Sequence, residues 1–462
     1  MLLKPAVTDL LKIMDCKLLV GDKNTILDNF SIDTRKINKG DIFIGLKGES
    51  FDGSSLYKDA IEKGAKGVII NNTIDIDKKY LIDLNNVFIV TVSDTLKCIQ
   101  ELAKYKRSLY DIPVVGITGS VGKTSTKDII ASVLSKKYKV LKTEGNYNNH
   151  IGVPLTVLKL EDHTALVIEM GMNNLGEISN LSKIARPTIS VITNVGTAHI
   201  GNLGSRENIL KAKLEILDGM TDKILVINND NDLLHKYASN NKDIKFITYG
   251  AYEESDYKAF NIKSDKNSSK YNINISNNTY EIDVLVPGSH FVLNSLCALA
   301  VGTYFDIDIN DIKDGIKNFE LTKRRMEIDV YNDVTIINDC YNANLDSMSS
   351  AINYLNTLED RKIAVLGSML ELGDYSKEIH EKIGSLLLNS NIDIIILVGS
   401  EMLHAYNLLK DANRPNIYYF DKNIDAINLL KSLIKKKDNI LIKASSTMKF
   451  IDIFNSIKEY LN

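Results

Sequence analysis

The chain lacks the features that mark several classes of protein. Its 462 residues include four cysteines, and none of them has a CxxC or Cys/His ligand spacing. This scarcity excludes a disulfide framework and a structural zinc site, and it predicts reduced thiols. The cysteines are Cys16, Cys98, Cys297 and Cys340. An excess of charge is also missing, because the formal net charge of -3 excludes broad electrostatic binding of nucleic acid or anionic membrane.

Long hydrophobic stretches are absent as well. No run approaches the roughly 20 apolar residues that a helix needs to cross a bilayer, so we expect no membrane span. The first residues, MLLKPAVTDLLKIMDCK, are interrupted before the apolar core of a signal peptide can form. The interrupting residues are Lys4, Pro5, Asp9 and Lys12. The sequence therefore predicts a protein that stays in the cytoplasm, where it is made.

The order of the apolar runs predicts three α/β domains, as expected for a chain of this length at ~100 to 200 residues per domain. Residues 1–110 combine short β-type runs such as DIFIGL and GVII with a helix near residues 55–63, which predicts a small N-terminal α/β domain. Residues 111–320 alternate apolar strands with helical patterns, which is typical of a mostly parallel sheet. The alternation then restarts and predicts a C-terminal Rossmann-like, doubly wound domain over residues 321–462.

Two segments of the middle domain depart from this alternation. Residues 257–286 alternate with a period of two around Asn277-Asn278, which predicts an antiparallel excursion at the edge of the sheet. A helix is predicted over residues 294–304. The short basic segment 322–325 then predicts a hinge between two α/β units, and such units commonly share a site.

Residues 113–127 run from an apolar strand through a glycine-rich turn into a helix, which is the context of a phosphate-binding loop. Glycines let backbone N–H groups approach phosphate oxygens, Lys123 supplies a positive charge, and Thr124 offers a hydroxyl to Mg²⁺. The predicted ATP- or GTP-binding residues are Thr118, Gly119, Ser120, Val121, Gly122, Lys123 and Thr124. The strict GxxxxGK[ST] pattern is not met, because Ile117 stands at its first glycine. The alternative is a glycine-rich turn with a solvated lysine.

Further polar residues follow predicted strands, at the edge where open parallel sheets bind ligands. Glu169 follows the run ALVI and His199 follows ISVIT, and both side chains suit Mg²⁺. A solvated strand end and an ordinary loop histidine are the alternatives. Lys213, near the predicted start of the next helix, is either a solvated lysine or a group whose charge is inverted, such as a carbamate made from CO₂, because Mg²⁺ repels an ammonium.

Together these motifs resemble the Mur ligases, the ATP-dependent amide-bond-forming enzymes of peptidoglycan precursor synthesis. They stand in the family's order: GITGSVGKTSTK (116–127), NYNNHIGVPLT (146–156), EMGMNNLGEI (169–178), NVGTAH (194–199), KAKLEI (211–216), PGSHFVLNSLCA (287–298) and RME (325–327). Two C-terminal segments, DCYNANLDSM (339–348) and LGSMLELGDYSKEIHEKIG (366–384), are similar to the member that adds D-alanyl-D-alanine to UDP-N-acetylmuramoyl-tripeptide. The segment IDTRKINKGDIFIGLKGESFDG (32–53) is similar to the UDP-substrate domain of that member.

The resemblance implies a reaction and a set of roles. ATP phosphorylates the terminal carboxylate of the UDP-linked tripeptide, and the amine of D-alanyl-D-alanine attacks the acyl phosphate. The expected catalytic residues are Lys123, His199, Lys213 and Arg325. Lys213 falls where related ligases carry a carbamylated lysine. One or two Mg²⁺ ions are expected, with Thr124, Glu169 and His199 as metal-side residues.

The same resemblance assigns residues to the nucleotide and the substrates. Asn294, Arg325 and Asp339 are expected to join the phosphate loop in binding ATP. The expected substrate-binding residues are Asp33, Thr34, Arg35, Asn146, Asn148, Asn149, Asn342 and Asn344. Without the family, Asp33 to Arg35 are equally well explained as a plain turn, the asparagines at 146–149 as a turn-rich loop, and Arg325 as a surface hinge charge.

The chain departs from the family pattern at two places. Leu345 stands where the motif YNANP has a proline that would stiffen the loop. A KGSR-like segment appears as Lys443-Ala444-Ser445-Ser446, without its glycine and arginine. If that arginine contacts a substrate carboxylate, the dipeptide site is altered or another cation replaces it.

Other functions fit less well. Another Mur-type ligase or a folylpolyglutamate-type amide ligase would share the phosphate loop, but the segments 339–348 and 366–384 disfavour both. A P-loop nucleotide switch protein would need a GTPase specificity motif or an arginine finger supplied by an oligomer. The sequence shows neither NKxD nor a second Walker-type acidic strand in the expected form. We therefore expect a monomeric enzyme whose partners are UDP-N-acetylmuramoyl-tripeptide and D-alanyl-D-alanine, with no nucleic acid.

Overall fold

Three β-sheets follow one another along the chain. The computed structural model describes residues 4–76 and 86–462. Over these residues, helices and parallel-rich sheets confirm the predicted three-part α/β fold. None of the helices in these two stretches has the length and apolar character to span a membrane. The predicted limits at residues 110 and 320 stay predictions.

The first sheet has the strand order β1-β5-β4-β3-β2, with β1 antiparallel to β5 and the other neighbours parallel. Its strands are Cys16–Val20 (β1), Phe30–Ser31 (β2), Ile42–Ile44 (β3), Gly67–Asn71 (β4) and Phe88–Val92 (β5). Its helices are Val7–Ile13 (α1), Tyr57–Glu62 (α2) and Thr95–Ser108 (α3), with 3₁₀ turns at Thr34–Lys36 and Gly53–Leu56. The runs DIFIGL and GVII both contain strands, as predicted.

The second sheet has the order β14-β13-β12-β11-β10-β9-β6-β8-β7. From β7 through to β12 in this order, each strand is parallel to the next. Its strands are Val114–Thr118 (β6), Val140–Lys142 (β7), Ala165–Glu169 (β8), Ile189–Ile192 (β9), Ile224–Asn228 (β10), Lys245–Gly250 (β11), Tyr257–Ser264 (β12), Ser269–Ile275 (β13) and Asn278–Val284 (β14). Its helices are Lys123–Leu134 (α4), Gly152–Leu158 (α5), Glu177–Ala185 (α6), Ile200–Leu203 (α7), Arg206–Leu214 (α8), Asp232–Asn240 (α9), Ser289–Tyr304 (α10) and Ile309–Lys317 (α11), with a 3₁₀ turn at Glu215–Gly219.

Three boundaries in this region differ from the sequence prediction. The antiparallel excursion β12-β13-β14 is confirmed, but its turn is Ser276-Asn277, both in the left-handed region, one residue earlier than predicted. Helix α10 begins at Ser289, directly after the turn at Gly288, rather than near residue 294. Helix α8 begins at Arg206 because the Ser205 side chain accepts a hydrogen bond from a first-turn N–H group, so Lys213 lies in the last turn of α8, not at its start.

The third sheet has the order β15-β16-β20-β17-β18-β19, with only β15 antiparallel to its neighbour among the described pairs. Its strands are Glu327–Tyr331 (β15), Val334–Asn338 (β16), Lys362–Gly367 (β17), Ile394–Val398 (β18), Ile417–Phe420 (β19) and Asn439–Lys443 (β20). Its helices are Leu345–Thr357 (α12), Ser376–Leu388 (α13), Met402–Asp411 (α14), Asn423–Leu433 (α15) and Ile451–Leu461 (α16), with 3₁₀ turns at Gly373–Tyr375 and Ser446–Met448. The predicted Rossmann-like, doubly wound unit is confirmed.

All four cysteines are free thiols. Cys98, Cys297 and Cys340 are buried, whereas Cys16 is half-buried. Burial raises the pKa of Cys98 to about 12 and that of Cys340 to about 11, and it also raises the pKa of Cys297. Three of the thiols therefore belong to the packed interior.

Candidate active site

A cavity of about 940 Å³ lies between the second and third sheets, at the carboxyl ends of their central strands. This is the edge at which open parallel sheets bind ligands. Most of the predicted site residues line it. Those residues are Ser120, Val121, Gly122, Lys123, Thr124, Asn146, Asn148, Asn149, Glu169, His199, Asn294, Arg325, Asp339, Asn342 and Asn344.

The phosphate loop joins β6 to α4 and requires two glycines. A Cβ on Gly119, which has a φ of +153°, would lie 1.9 Å from Thr193 Oγ1, and Gly122 precedes α4 with a φ of +82°. The N–H groups of the first turn of α4 have no intrahelical partner and so form a ready site for an anion. Lys123 Nζ donates to the Gly119 carbonyl oxygen (2.8 Å), which holds this cation against the loop.

Asn194, two residues after β9, organises the loop. The sequence interpretation noted the segment 194–199 but gave Asn194 no role of its own. The Oδ1 of Asn194 accepts hydrogen bonds from the N–H groups of Ser120 (3.0 Å) and Val121 (2.9 Å). These two donors are therefore used within the protein, and the start of α4 is the part of the loop left for a phosphate. The signal was present, since Asn194 opens the motif NVGTAH.

Glu169 is buried at the end of β8 and joins two other predicted residues. Its Oε2 accepts from Thr124 Oγ1 (2.8 Å), and its Oε1 accepts from Asn148 Nδ2 (2.7 Å). Asn148 thus contacts the carboxylate rather than open solvent. Asn149 has a local role, because its Oδ1 accepts from the N–H of Gly152 (2.9 Å) at the start of α5. The carboxylate and hydroxyl oxygens of Glu169 and Thr124 are of the kind that Mg²⁺ binds.

His199 reaches across the cavity to the third sheet. It adopts a left-handed backbone conformation with a φ of 63°. Its Nδ1 lies 3.1 Å from Glu371 Oε2, which is an ion-pair distance without the alignment of a hydrogen bond. This contact holds the pKa of Glu371 below its ordinary value. Glu371 was not identified from the sequence, because nothing in a linear motif connects it with residue 199.

Lys213 is a nearly completely buried lysine, with 1% of its surface exposed. It forms no hydrogen bond or ion pair with any residue that the structure describes. Burial, reinforced by the positive charge of Lys123, holds the pKa of its amine well below the ordinary value. The charged form of this amine is therefore disfavoured, and the interpretation as a solvated helix lysine is wrong because the side chain is buried.

The hinge places Arg325 at the cavity. Its guanidinium carbon lies 4.1 Å from the centre of the Tyr341 ring, and its buried Nε has no partner among residues 4–76 and 86–462. Asp339 is held on two sides, by Lys443 Nζ (2.5 Å) and by the N–H of Met326 (3.1 Å). Lys443 is the first residue of the altered KGSR-like segment. Its positive charge is paired with the carboxylate of Asp339.

The two asparagines before α12 support backbone structure. The Asn342 carbonyl oxygen accepts from Lys443 Nζ (3.2 Å). Asn344 caps α12, because its Oδ1 accepts from the N–H of Ser347 (2.9 Å), and its Nδ2 reaches the Ser120 carbonyl oxygen at 3.5 Å. Both line the cavity, and their role in substrate binding stays a prediction.

His290 is a cavity residue that the sequence interpretation missed. It follows Gly288 in the first turn of α10, and its ring lies 4.5 Å from that of Phe291. Burial lowers the pKa of His290 to about 4, with the carboxylate of Asp339 opposing the shift. The ring is therefore neutral at pH 7 and presents one donor and one acceptor.

Asp33, Thr34 and Arg35 lie on the first sheet, in the 3₁₀ turn after β2, and they are not among the residues that line the cavity. Arg35 donates to both Asp33 carboxylate oxygens (2.8 Å each) and thereby lowers the pKa of Asp33 to about 2. The Arg35 side chain is 85% exposed. The predicted role of this turn in substrate binding stays a prediction.

Models of three protein families match the chain in succession. Residues 27–107 match the Mur ligase family catalytic domain, residues 117–302 match the Mur ligase middle domain, and residues 324–446 match the glutamate ligase domain of Mur ligases.

Individual relatives extend the likeness to the whole chain. The UDP-N-acetylmuramoyl-tripeptide–D-alanyl-D-alanine ligase of Bacillus subtilis (strain 168) is 37% identical over 444 residues, which cover 95% of this chain and 94% of the relative. A crystal structure of MurF from Acinetobacter baumannii matches with a TM-score of 0.89 at 27% identity, and it covers 99% of both chains. MurF ligase from Thermotoga maritima in complex with ADP matches with a TM-score of 0.82 at 27% identity, and it covers 94% of this chain and 98% of that one. The chain therefore belongs to the Mur ligase family, and within it to the MurF-type ligases.

Proposed function

We propose that the chain is an ATP-dependent ligase that joins D-alanyl-D-alanine to UDP-N-acetylmuramoyl-tripeptide and releases ADP and phosphate. The relative from Bacillus subtilis carries this name at 37% identity. The observation that carries the proposal is the convergence of Lys123, the Glu169–Thr124 pair and Arg325 on one cavity between two α/β units. Such a cavity suits a reaction that must exclude water from an activated carboxyl group.

One buried polar atom of the cavity is free for a ligand. Arg325 Nε is buried and has no partner among the residues described. A buried polar group without a hydrogen bond is costly, so this atom supports a polar occupant such as a nucleoside triphosphate.

The donor set also fits Mg²⁺. Within the described stretches, no three Asp, Glu, His or Cys side chains form a metal cage. Mg²⁺ in nucleotide sites usually takes one or two carboxylates and completes its shell with phosphate oxygens and water. Glu169 and Thr124 would hold the ion, with His199 beside them, and the bound ion would offset the negative charge of the phosphates.

The side chains of the cavity suit transfer of a phosphoryl group to a carboxylate. The two reacting groups are both negative and repel each other, so cations must hold them in line. Lys123 lies against the phosphate loop, and Arg325 approaches from the hinge. The neutral amine of the dipeptide then attacks the carbonyl carbon of the acyl phosphate, and the new amide C–N bond forms. The C–O bond to the phosphate breaks, phosphate leaves with the carboxyl oxygen that received it, and the nitrogen gives up one proton, which the phosphate can take up.

We further propose that Lys213 is carbamylated. A neutral, unpaired amine adds to CO₂ to give a carbamate anion and a proton, and this converts a position that would repel Mg²⁺ into one that attracts it. In a ¹³C-bicarbonate solution, the protein should show a carbamate carbon signal that Lys213→Met abolishes. A signal that survives this substitution would assign the carbamate to another amine.

We also propose that the ligase acts as a monomer. We place it in the cytoplasm, because ATP is available there.

The function is tested by phosphate release from ATP, with each component omitted in turn. The expected result is release that depends on Mg²⁺, UDP-N-acetylmuramoyl-tripeptide and D-alanyl-D-alanine together. A control replaces the dipeptide with single D-alanine, which should not support turnover. Turnover without the muramoyl substrate, or indifference to the dipeptide, would instead point to another amide ligase of the family.

A further inference from the structure

The hinge between the second and third sheets is held by one aspartate on each side. On the side of the second sheet, Asp128 Oδ2 accepts from the N–H (3.2 Å) and the Oγ1 (2.7 Å) of Thr322. On the side of the third sheet, Asp339 Oδ1 accepts from the N–H of Met326 (3.1 Å). Only residues 323–325 lie between these two anchors.

Asp128 belongs to the rigid frame of the phosphate site. It lies on α4, the helix whose first turn faces the cavity, and its side chain is 1% exposed. Its Oδ1 lies 2.7 Å from Lys142 Nζ and 3.2 Å from Lys127 Nζ, and these two cations offset the buried charge. The preceding helix α11 also packs on α4, where Ser132 Oγ donates to the Gly315 carbonyl oxygen (2.7 Å). The hinge thus starts from a fixed point on α4.

Three consecutive hinge residues line the cavity, and Arg325 is the middle one, between Arg324 and Met326. Its neighbours Arg324 and Met326 have φ values of 65° and 47°. Residues other than glycine adopt this left-handed backbone conformation only where surrounding contacts stabilise it. The guanidinium lies on the Tyr341 ring, and its buried Nε has no partner in the described part of the chain. The contacts of Thr322 and Met326 hold this geometry from both sides. Within the segment, the Arg324 N–H donates to Glu327 Oε2 (3.2 Å), and the Arg324 carbonyl oxygen accepts from the Tyr341 N–H (3.2 Å).

We infer that Asp128 and Thr322 form a tether that positions Arg325 for the reacting phosphate, which makes both of them positioning residues of the ligase. The inference rests on the proposed function for the role of Arg325. The tether links α4, whose first turn would bind the phosphates, to the hinge segment that carries Arg325. A nucleotide at the start of α4 and the guanidinium at the hinge are thereby held in one frame.

A matched pair of substitutions tests the tether. Thr322→Val keeps the shape of the side chain and removes the hydroxyl, whereas Thr322→Ser keeps the hydroxyl. We expect Thr322→Val to lower kcat about tenfold, because a hydrogen bond to a charged acceptor is lost, and to change KM for ATP much less. Thr322→Ser should restore kcat to near the wild-type value. A lower unfolding temperature with unchanged kcat in Thr322→Val would mean that the contact is merely structural and would overturn the inference.

A double-mutant cycle shows whether the tether acts through the arginine. In an Arg325→Ala background, Thr322→Val should lower kcat by less than about twofold further, since the group that it positions is already absent. Independent, multiplicative losses would contradict the inference.

Hydrogen exchange separates failure of the tether from failure of the proposed function. Backbone amides of residues 320–326 should exchange faster in Thr322→Val than in the wild type or Thr322→Ser, whether or not ATP is turned over. If the wild-type chain shows no ligase activity, the function is wrong, and exchange alone decides the tether. Equal exchange in all three proteins would overturn it.

Discussion

Lys213 is a residue whose burial lowers the stability of the fold and whose amine is proposed to serve the function. The amine is buried without a partner, and its pKa is held well below the ordinary value of 10.5. At pH values between this lowered pKa and 10.5, the unfolded chain binds one more proton at Lys213 than the folded chain does. Stability at this position therefore falls as the pH falls through that window. The residue destabilises the fold near neutral pH, which is typical of groups kept for their chemistry.

A substitution to methionine separates these two roles. Methionine matches the length of lysine and has no charge to desolvate, so Lys213→Met should raise the unfolding temperature at pH 7.5 by about 2 to 4 °C in CO₂-free buffer. The gain should shrink as the pH rises towards 10.5, and ligase activity should be lost. Calorimetry at several pH values measures the first effect. A variant that is less stable than the wild type at pH 7.5 would contradict a lowered pKa of the buried Lys213 amine.

At the scale of an element, helix α12 resolves one departure from the family pattern. Leu345, which stands in place of a proline, is the first residue of the helix, and Asn344 before it has an extended backbone and caps the helix with its side chain. The first position of a helix needs no hydrogen-bonded N–H, and proline is favoured there. The asparagine cap therefore orders this loop without the proline.

Proline should still be accepted at this position. Leu345 is partly buried against the core, so the comparison is between Leu345→Pro and Leu345→Ala, which both remove that packing. Leu345→Pro should be more stable than Leu345→Ala by about 0.4 to 1 kcal/mol, because proline restricts the unfolded chain. Denaturant unfolding of the two variants measures the difference. If Leu345→Pro proves the less stable variant, the helix does not begin at residue 345.

Elements were more predictable than their ends. Apolar runs predicted five of the six strands of the third sheet, because four of these five lie inside the sheet and are almost wholly buried. The edge strand β15 was missed, because its residues are only partly buried or exposed. The start of α8 was missed because a single side chain, Ser205, decides it through a cap. The role of Asn194 was missed for a related reason, since its partners Ser120 and Val121 lie on a different loop.

At the scale of the whole molecule, close contacts between the second and third sheets border the cavity on one side. A Cβ on Gly201 in α7 would lie 2.7 Å from the Leu372 carbonyl carbon, and one on Gly196 would lie 2.0 Å from Asp346 Oδ2. Tyr375 Oη donates to the Gly204 carbonyl oxygen (2.6 Å). These contacts join the second and third sheets on the side of the cavity where His199 and Glu371 meet.

A larger side chain at Gly201 should keep the second and third sheets from approaching closely on this side of the cavity. Gly201→Ala places a methyl group against backbone atoms that cannot turn aside, so kcat should fall about tenfold or more, because a small misplacement of the reacting groups is costly. Affinity for ADP should change far less, since the phosphate loop lies wholly on the second sheet. Kinetics and calorimetric titration measure the two effects. Asn202→Ala, on the same short helix, is the control, and a kcat loss in both variants would implicate the helix rather than the contact.

The limits of prediction follow from the same arrangement. The phosphate loop and Glu169 were identified from motifs because their partners lie on neighbouring strands of one sheet. The pairing of His199 with Glu371, and that of Asp339 with Lys443, join segments that only tertiary folding brings together. No local pattern contains that information, whereas the resemblance to a family placed most of the residues at the cavity without explaining their contacts.

The burial of three thiols makes the motion of the molecule directly observable. At neutral pH a maleimide dye should react only with Cys16. Burial keeps the thiols of Cys98, Cys297 and Cys340 protonated and inaccessible to the dye. A chain with Cys16→Ser therefore accepts fluorophores wherever new cysteines are introduced on the exposed surfaces of the second and third sheets. Energy transfer between two such dyes would time each closing and opening during turnover, one molecule at a time.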